Sequence, residues 1–592
     1  MGINGPFQRG APAGDLKQAI AVARGEQPAD LVFKNAQFLD VYSGKFIAGD
    51  IAIRGEQIIG TCESYEGKKI IDASGMFIVP GFIDAHVHIE SSMMTPARFQ
   101  QVALPCGTTT VIWDPHEIAN VWGKKGIEWA LSASEKLLMD FFVMIPSCVP
   151  ATPPQFGLET SGAELKAADI RPFAGHPRVL GLAEMMNFPG VLHADDEVAT
   201  KLSDFSLKAR DGHSPGLRGK DLNGYLVSGI QSCHESTQLE EAREKMRKGM
   251  HVLIREGSCA KDADALLPLV DAYSSAVLHL CSDDRNPADI AKEGHINWII
   301  EKALRQGIAA ESVFRVASWA PARAYGLHDR GVLAPGFRAD FCLIKQRGKN
   351  WSAGFEVLDV YKNGARVDAR QLQQVAEQSV GAVAAEQNIR IKPLRLEQLA
   401  IPATGKKILT RVIGVRPGQI LTDALQIELP IENGYLAITP STGCNKIAVI
   451  ERHHASGNIG VGVVKGFALS KGAIATSVNH DSHNVIVVGA DDATMVQAVE
   501  RLQKINGGIV VTDGAGKWLE LSLPVAGLMS EAPPETIAKQ IEALRHFTKT
   551  LGCELDEPFL TLSFLALPVI PTLKITDRGL VDVIKFAVVP LF

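Results

Sequence analysis

The chain has 592 residues, 46% hydrophobic and 21% charged, with a formal net charge of −6 and a mean hydropathy of +0.07. That length exceeds what one hydrophobic core supports, because cores stop growing at about 250–300 residues, so two or three globular domains are expected. A pI near 6.3 and the lack of any long Lys/Arg run exclude the electrostatic footprint of a nucleic-acid or anionic-membrane partner. A helix is predicted over 16–24, then short strands at 31–33, 38–41, 50–53 and 57–60 separated by turn residues, a small antiparallel sheet of β-sandwich type. From Met76 the pattern changes to apolar strands alternating with longer helical stretches, the signature of parallel βα units in an α/β fold.

Eight such strands are predicted, at 77–84, 108–114, 141–146, 179–184, 209–213, 228–234, 251–255 and 276–283. Eight in series are what a closed (β/α)8 barrel of TIM type requires, and its active site lies at the carboxyl ends of the strands. The fifth is the most polar, around Lys208-Ala209-Arg210-Asp211. Further strands at 331–344 and 357–367 complete the opening sheet. A polar, Ala/Gln-rich stretch over 369–387 leads to an α+β region with strands within 459–488 and an amphipathic helix over 492–504. The expected domains are 1–75 and 329–380 as two parts of a flanking β-sandwich, 76–328 as the barrel, and 381–592 as the carboxy-terminal domain.

Nearly every predicted barrel strand ends in a residue that binds metal or moves a proton. His86 and His88 stand one residue apart at the end of the first, so on extended chain their rings face the same side and can close on one cation. Glu184 ends the fourth with a carboxylate that is costly to bury unpaired, and its two oxygens suit it to bridging two ions, unless it faces water or an arginine. His213 and His234, at the fifth and sixth, complete a second ion. Asp283 and Asp284 are adjacent carboxylates after the last strand, which repel unless a cation or proton separates them. One of the two is also placed to cap the helix at Asn286-Pro287. Glu235 and His116 are proton-carrier candidates, whereas Glu117 reads as part of a solvated loop. The run His480-Asp481-Ser482-His483-Asn484 is a hydrogen-bonded turn or a lid over the barrel rather than a separate metal site, with Glu451, His453 and His454 nearby. Gly457 to Gly462 has the glycines of a nucleotide loop but no helix after it.

Taken together, Pro80-Gly81-Phe82-Ile83-Asp84-Ala85-His86-Val87-His88, Glu184, His213, His234 and Asp283 resemble the amidohydrolase superfamily. Within it, the motifs at 86–92, 114–118 (Asp-Pro-His-Glu-Ile), 212–215 (Gly-His-Ser-Pro), 233–236 (Cys-His-Glu-Ser), 282–284 (Ser-Asp-Asp) and 480–484 resemble the adenine deaminase branch over nearly the whole chain. Glu184 stands where many superfamily members carry a carboxylated lysine, a departure that favours this branch over dihydroorotase-like and hydantoinase-like amide hydrolases. The resemblance implies hydrolysis of adenine to hypoxanthine and ammonia at two divalent ions, iron or manganese ahead of zinc, by a bridging hydroxide that attacks C6. It implies His86, His88 and Asp283 on one ion, His213 and His234 on the other, and Glu184 on both. Glu235 then protonates the ring nitrogen and Asp283 takes the proton of the attacking water. Asp284 or His116 orients substrate or stabilises charge. The roles of Asp283 and Asp284 are interchangeable at this level.

The competing readings are cyclic amide hydrolysis at the same centre, and an idle barrel serving as a binding module. The expected partner is a small purine base, without nucleic acid or membrane, and a homo-oligomer, first of all a dimer, is the usual state of such an enzyme. Nine cysteines from Cys62 to Cys553, odd in number and without repeated CxxC spacing, fit a reducing cytoplasm. Met1 to Pro6 has no basic-then-apolar leader pattern, and no stretch reaches the roughly 18 apolar residues that span a bilayer.

Overall fold

A computed structural model of the chain describes residues 9–10, 14–381 and 387–592. The reading of residues 1–6 and the end of the Ala/Gln-rich stretch at 382–386 lie outside the described residues. Eight parallel strands form the centre: β1 (Phe82–Val87), β2 (Thr108–Trp113), β3 (Asp140–Ile145), β4 (Val179–Met185), β5 (Ala209–Gly212), β6 (Ser232–Cys233), β7 (His251–Arg255) and β8 (Leu278–Cys281). β1 to β5 pair in sequence order, and so do β6 to β8. Gln231 N–H donates to Arg210 O at 2.9 Å across the first seam, and Asp283 N–H donates to His86 O at 3.0 Å across the second. Val87 and Asp283 form a parallel bridge there. All but Asp140, Arg210 and His251 of their residues are buried, because helices such as Ile296–Arg305 cover their outer side, as parallel sheets require.

The stretch 77–84, expected as one strand, is two. Phe77–Pro80 pairs antiparallel with residues of Phe341–Gln346 in an outer sheet, and the chain then crosses at Gly81 into β1. A Cβ at Gly81 would lie 2.4 Å from Thr109 Oγ1, so only glycine lets the backbone pass this close. The expected strand 331–344 shrinks to Phe341–Gln346, because Pro335 and the left-handed Gly331 and Gly336 break its start. β6 is also shorter than expected: Gly229 takes a left-handed turn just before it.

The outer sheet has eight strands drawn from before and after the ring. Its strands are joined by hydrogen bonds into one branched sheet that packs on itself, Phe33 meeting Phe341 and Tyr361 with ring centroids 5.3 and 5.0 Å apart. Ala29–Asp40 pairs antiparallel with Lys45–Arg54 and parallel with both Gly67–Asp72 and Phe77–Pro80. The branch is possible because the register of Ala29–Asp40 shifts between Phe33 and Ala36, where Asn35 adopts a positive φ of 60°. Gly67–Asp72 was not foreseen, as its Gly-Lys-Lys start lacks strand-like alternation.

A nine-stranded sheet runs through residues 407–522. Gly457 to Gly462 falls at the start of its strand Ile459–Lys465 and forms no phosphate loop. Helix Asp492–Lys504 begins where Asp491 accepts the Thr494 N–H at 2.8 Å, an N-cap. Its Met495, Ala498, Val499 and Leu502 are buried against Ala473, Val485 and Val510 of the sheet. The region docks on the ring through Asn484 Nδ2, which donates to Thr160 O at 2.7 Å, and Asp577, which accepts the Thr160 N–H at 2.9 Å. Among the described residues no helix is long and apolar enough to cross a membrane.

Candidate metal centre

His86 and His88 leave the end of β1 with their Nε2 atoms 3.1 Å apart. Asp283, just past β8, sets Oδ1 3.4 Å and 3.1 Å from those two nitrogens. Its backbone is held in the left-handed region, φ 54°, a strain that a non-glycine residue tolerates only where its surroundings impose it. Glu184 in β4 faces both ways. Oε1 lies 3.6 Å from His86 Nε2 and 3.3 Å from His88 Nε2, while Oε2 lies 2.6 Å from His213 Nδ1 and 3.2 Å from His234 Nε2. All six side chains are buried.

Two aligned imidazole nitrogens facing one another in a dry pocket with two carboxylates are a donor set that a divalent cation satisfies. The groups His86, His234 and Asp283, and Glu184, His213 and His234, each bring three ligand atoms within 4.8 Å of one another. His213 Nε2 has no partner. Burial alone would raise the Glu184 carboxyl, but His234, His213 and His88 hold it well below the usual range. Burial, reinforced by His234, pushes His86 down to about 4, which keeps its imidazole neutral and able to ligate.

Around this core, His88 Nδ1 meets Asp114 O at 3.0 Å and His116 Nδ1 meets the Asp114 carboxylate at 2.8 Å, fixing both rings from outside the centre. Glu235 accepts a hydrogen bond from Arg255 Nη1, which also donates to Asp283 Oδ2 at 3.0 Å. Arg255 Nη2 donates to Asp262 at 2.9 Å. Burial would raise Glu235, yet Arg255 holds it below the usual glutamate value. Asp284 contacts the Ser91 hydroxyl, which also reaches Glu117 Oε1 at 2.9 Å. One hydroxyl has one proton to give, and burial together with Asp283 pushes Asp284 up to about 7. The Ser91 hydroxyl thus stands between the two carboxylates and can donate to either one.

The structure brings His88, His116, Glu184, His213, His234, Glu235, Asp283 and Asp284 to one cavity, with His86 directly behind it. Glu117 is not in a solvated loop: it is fully buried and its Oε1 lies 3.0 Å from His480 Nδ1. Neither Asp283 nor Asp284 caps the following helix, a position taken by Asn286, whose side chain accepts from Ala288 and Asp289 N–H at 3.0 Å. His480 and Asp481 line the cavity together with Ile420, Phe564, Leu567 and Ile570, so the carboxy-terminal region roofs the strand ends. Glu451 instead caps its own turn, accepting from His454 N–H at 2.7 Å and Ser456 N–H at 2.8 Å. Arg255 and Asp114 were not singled out from the sequence. Both occupy the same strand-end positions as the ligands, and that position is the signal that would have found them.

A ring of parallel strands whose carboxyl ends gather imidazoles and carboxylates is the arrangement of an amidohydrolase, and residues 77–367 match the amidohydrolase family. Residues 419–587 match the adenine deaminase C-terminal domain. An adenine deaminase of Brucella anthropi is 47% identical over 97% of this chain and 100% of that protein. Adenine deaminase 1 of Rhizobium meliloti is 47% identical over 97% of this chain and 99% of that protein. An adenine deaminase of Cereibacter sphaeroides is 48% identical over 97% and 99%. The chain belongs to the adenine deaminase family.

Proposed function

We propose that this protein hydrolyses adenine to hypoxanthine and ammonia, on the single observation that Glu184 sets one carboxylate oxygen against His86 and His88 and the other against His213 and His234. In this reading His86, His88 and Asp283 would hold one divalent ion, His213 and His234 a second, and Glu184 would serve both, with manganese or iron ahead of zinc. Such ions bring the pKa of water toward neutrality and stabilise charge that develops at the reacting carbon.

The residues account for both protons of the water. Glu235, ionised at rest beside Arg255, takes the first and delivers it to N1 of the purine, so that C6 becomes electrophilic. Asp283 takes the second from the oxygen now on C6 and hands it to the departing amine. The C6–N bond breaks, ammonia leaves, and hypoxanthine keeps the proton on N1. Asp284 and His116, on the flank of the cavity, orient the base or stabilise charge. Met186 lines this cavity and also an adjoining apolar cleft with Phe188, Phe586 and Ile584, which supplies a route for a flat base.

We read the eight-stranded ring as a closed (β/α)8 barrel over 76–328, with 1–75 and 329–380 as the flanking β-sandwich domain and 381–592 as the third domain; the cross-seam hydrogen bonds support the closure. The nine free cysteines support a cytoplasmic setting, and a homodimer is the default assembly. Cyclic amide hydrolysis is not favoured, since the relatives are named for adenine deamination and share its C-terminal domain. The test is ammonia release from adenine by purified protein, metal-stripped and then reloaded with manganese or ferrous iron. Release that follows the metal supports the reading, and none with both ions bound overturns it.

A further inference from the structure

The roof of the cavity presents two polar atoms with no hydrogen bond, one of which, Asp481 Oδ2, lies in an ion pair with His116. Asp481 Oδ2 and His480 Nε2 are buried and hydrogen-bond to nothing, and both residues line the cavity that contains His88, Glu184 and Glu235. A buried acceptor short of hydrogen bonds is costly, and a protein retains one where a ligand completes it. Both side chains are fixed in advance. The His480 ring stacks on Phe564 with centroids 4.4 Å apart and planes 8° from parallel, and its Nδ1 is tied to Glu117 Oε1 at 3.0 Å. Asp481 Oδ2 stands in an ion pair 3.5 Å from His116 Nε2, which orients the carboxylate and leaves it room to accept a closer donor. Around them Ile420, Phe564, Leu567 and Ile570 are apolar, suited to the faces of a flat ring.

Resting on the proposed deamination, the orientation of the base follows. If C6 and N1 turn toward Glu184 and Glu235 on the barrel floor, the five-membered ring turns toward the roof. That ring of the free base carries one N–H beside nitrogen lone pairs. We infer that Asp481 is a substrate-binding residue contributed by the carboxy-terminal region, its Oδ2 accepting the ring N–H of the five-membered ring, with His480 Nε2 meeting a neighbouring ring nitrogen. The roof thereby selects an unsubstituted base: a purine alkylated or glycosylated on that ring has no N–H to give and leaves the buried Asp481 Oδ2 without that hydrogen bond, the kind of rejection that polar sites achieve best. This gives the carboxy-terminal region a direct part in recognition.

The experiment compares adenine, 7-methyladenine and 9-methyladenine, the last two lacking a ring N–H, on metal-loaded wild-type protein and on Asp481→Ala and Asp481→Asn. Steady-state kinetics, equilibrium binding by calorimetry and metal content are measured together. The expected result is a wild-type preference for adenine that collapses in both variants. Adenine KM rises on the order of ten- to a hundredfold, the loss of one charged hydrogen bond from a dry site, while kcat and metal content change little. A variant that loses kcat but keeps the preference shows Asp481 acting only through His116, and overturns the inference. Wild-type protein that binds or turns over the methylated bases as well as adenine overturns it without any variant, so a misfolded variant leaves the test intact. Wild-type protein that binds adenine in preference to the methylated bases but releases no ammonia sinks the deamination reading and upholds the binding one.

Discussion

The Nε2 atoms of His86 and His88 face each other at 3.1 Å inside a pocket closed to solvent. Two neutral imidazoles brought together through lone pairs repel, and two cationic ones repel more, so the pair is stable only around a shared cation or proton. The carboxylates Glu184 and Asp283 at 3.1–3.6 Å make the cation the natural occupant. Stripping divalent metal should therefore abolish ammonia release and also lower the melting temperature. A ligand held at a hundredfold excess over its Kd stabilises the folded state by about 2.7 kcal/mol. Differential scanning fluorimetry before and after chelation, and again after manganese is restored, checks both effects. An unchanged melting curve on complete removal would show that the histidines are packed without need of an ion.

Glu235 is the proton carrier nearest the second histidine pair, its Oε1 3.4 Å from His234 Nε2. Glu235→Gln keeps the shape and removes the carboxylate that accepts and delivers the proton. General acid–base catalysis contributes about 10²- to 10⁴-fold, so kcat for adenine should fall by that order while both metal equivalents remain. Parallel measurement of turnover and metal content separates this from loss of the centre. Near-normal turnover in Glu235→Gln would move the proton transfer to another residue.

Much of this centre was legible because each ligand sits where an apolar run ends, a position that a parallel ring turns into a shared site. His86, Glu184, His234 and Asp283 announce themselves in this way. The fold was less legible where the backbone changes partners. Phe77 to Val87 is one apolar run whose division at Gly81 depends on Thr109 and the Phe341–Gln346 strand, both distant in sequence. Contacts between regions left no trace at all. Glu117 reads as solvated until His480 is laid against it, and Arg255 reads as a strand end until Glu235, Asp262 and Asp283 close around its guanidinium.

Arg255 is buried with three carboxylates on it. Breaking such a network by removing one partner is far costlier than never having built it, about 3–5 kcal/mol. Arg255→Met should lower the melting temperature and slow turnover by freeing Asp283 and Glu235 together. Without the guanidinium that holds it down, Glu235 should titrate at higher pH, so the acid limb of the pH–rate profile moves upward. Arg255→Lys should rescue little, because a point charge does not replace the planar fork that serves three acceptors. Full activity in Arg255→Lys would show that charge alone suffices.

Glu159 lies apart from the metal centre, where its Oε1 accepts from Thr152 N–H at 2.9 Å and from the Thr152 hydroxyl at 2.5 Å, while Oε2 is buried without a partner. Burial, outweighing those two hydrogen bonds, pushes its carboxyl up to about 8 from 4.5. The sign follows from linkage. Below about pH 4.5 the group is protonated in both folded and unfolded chains and costs nothing, whereas between about 4.5 and 8 only the unfolded chain ionises, so stability is lost as pH rises through that window. Glu159→Gln has nearly the same shape and never ionises. It should melt with the wild-type protein at pH 4.5 and above it at pH 9, by on the order of a few degrees. Calorimetric melting of both proteins across that range checks the divergence. A constant difference at every pH would mean that Glu159 titrates near its ordinary value, with water reaching Oε2.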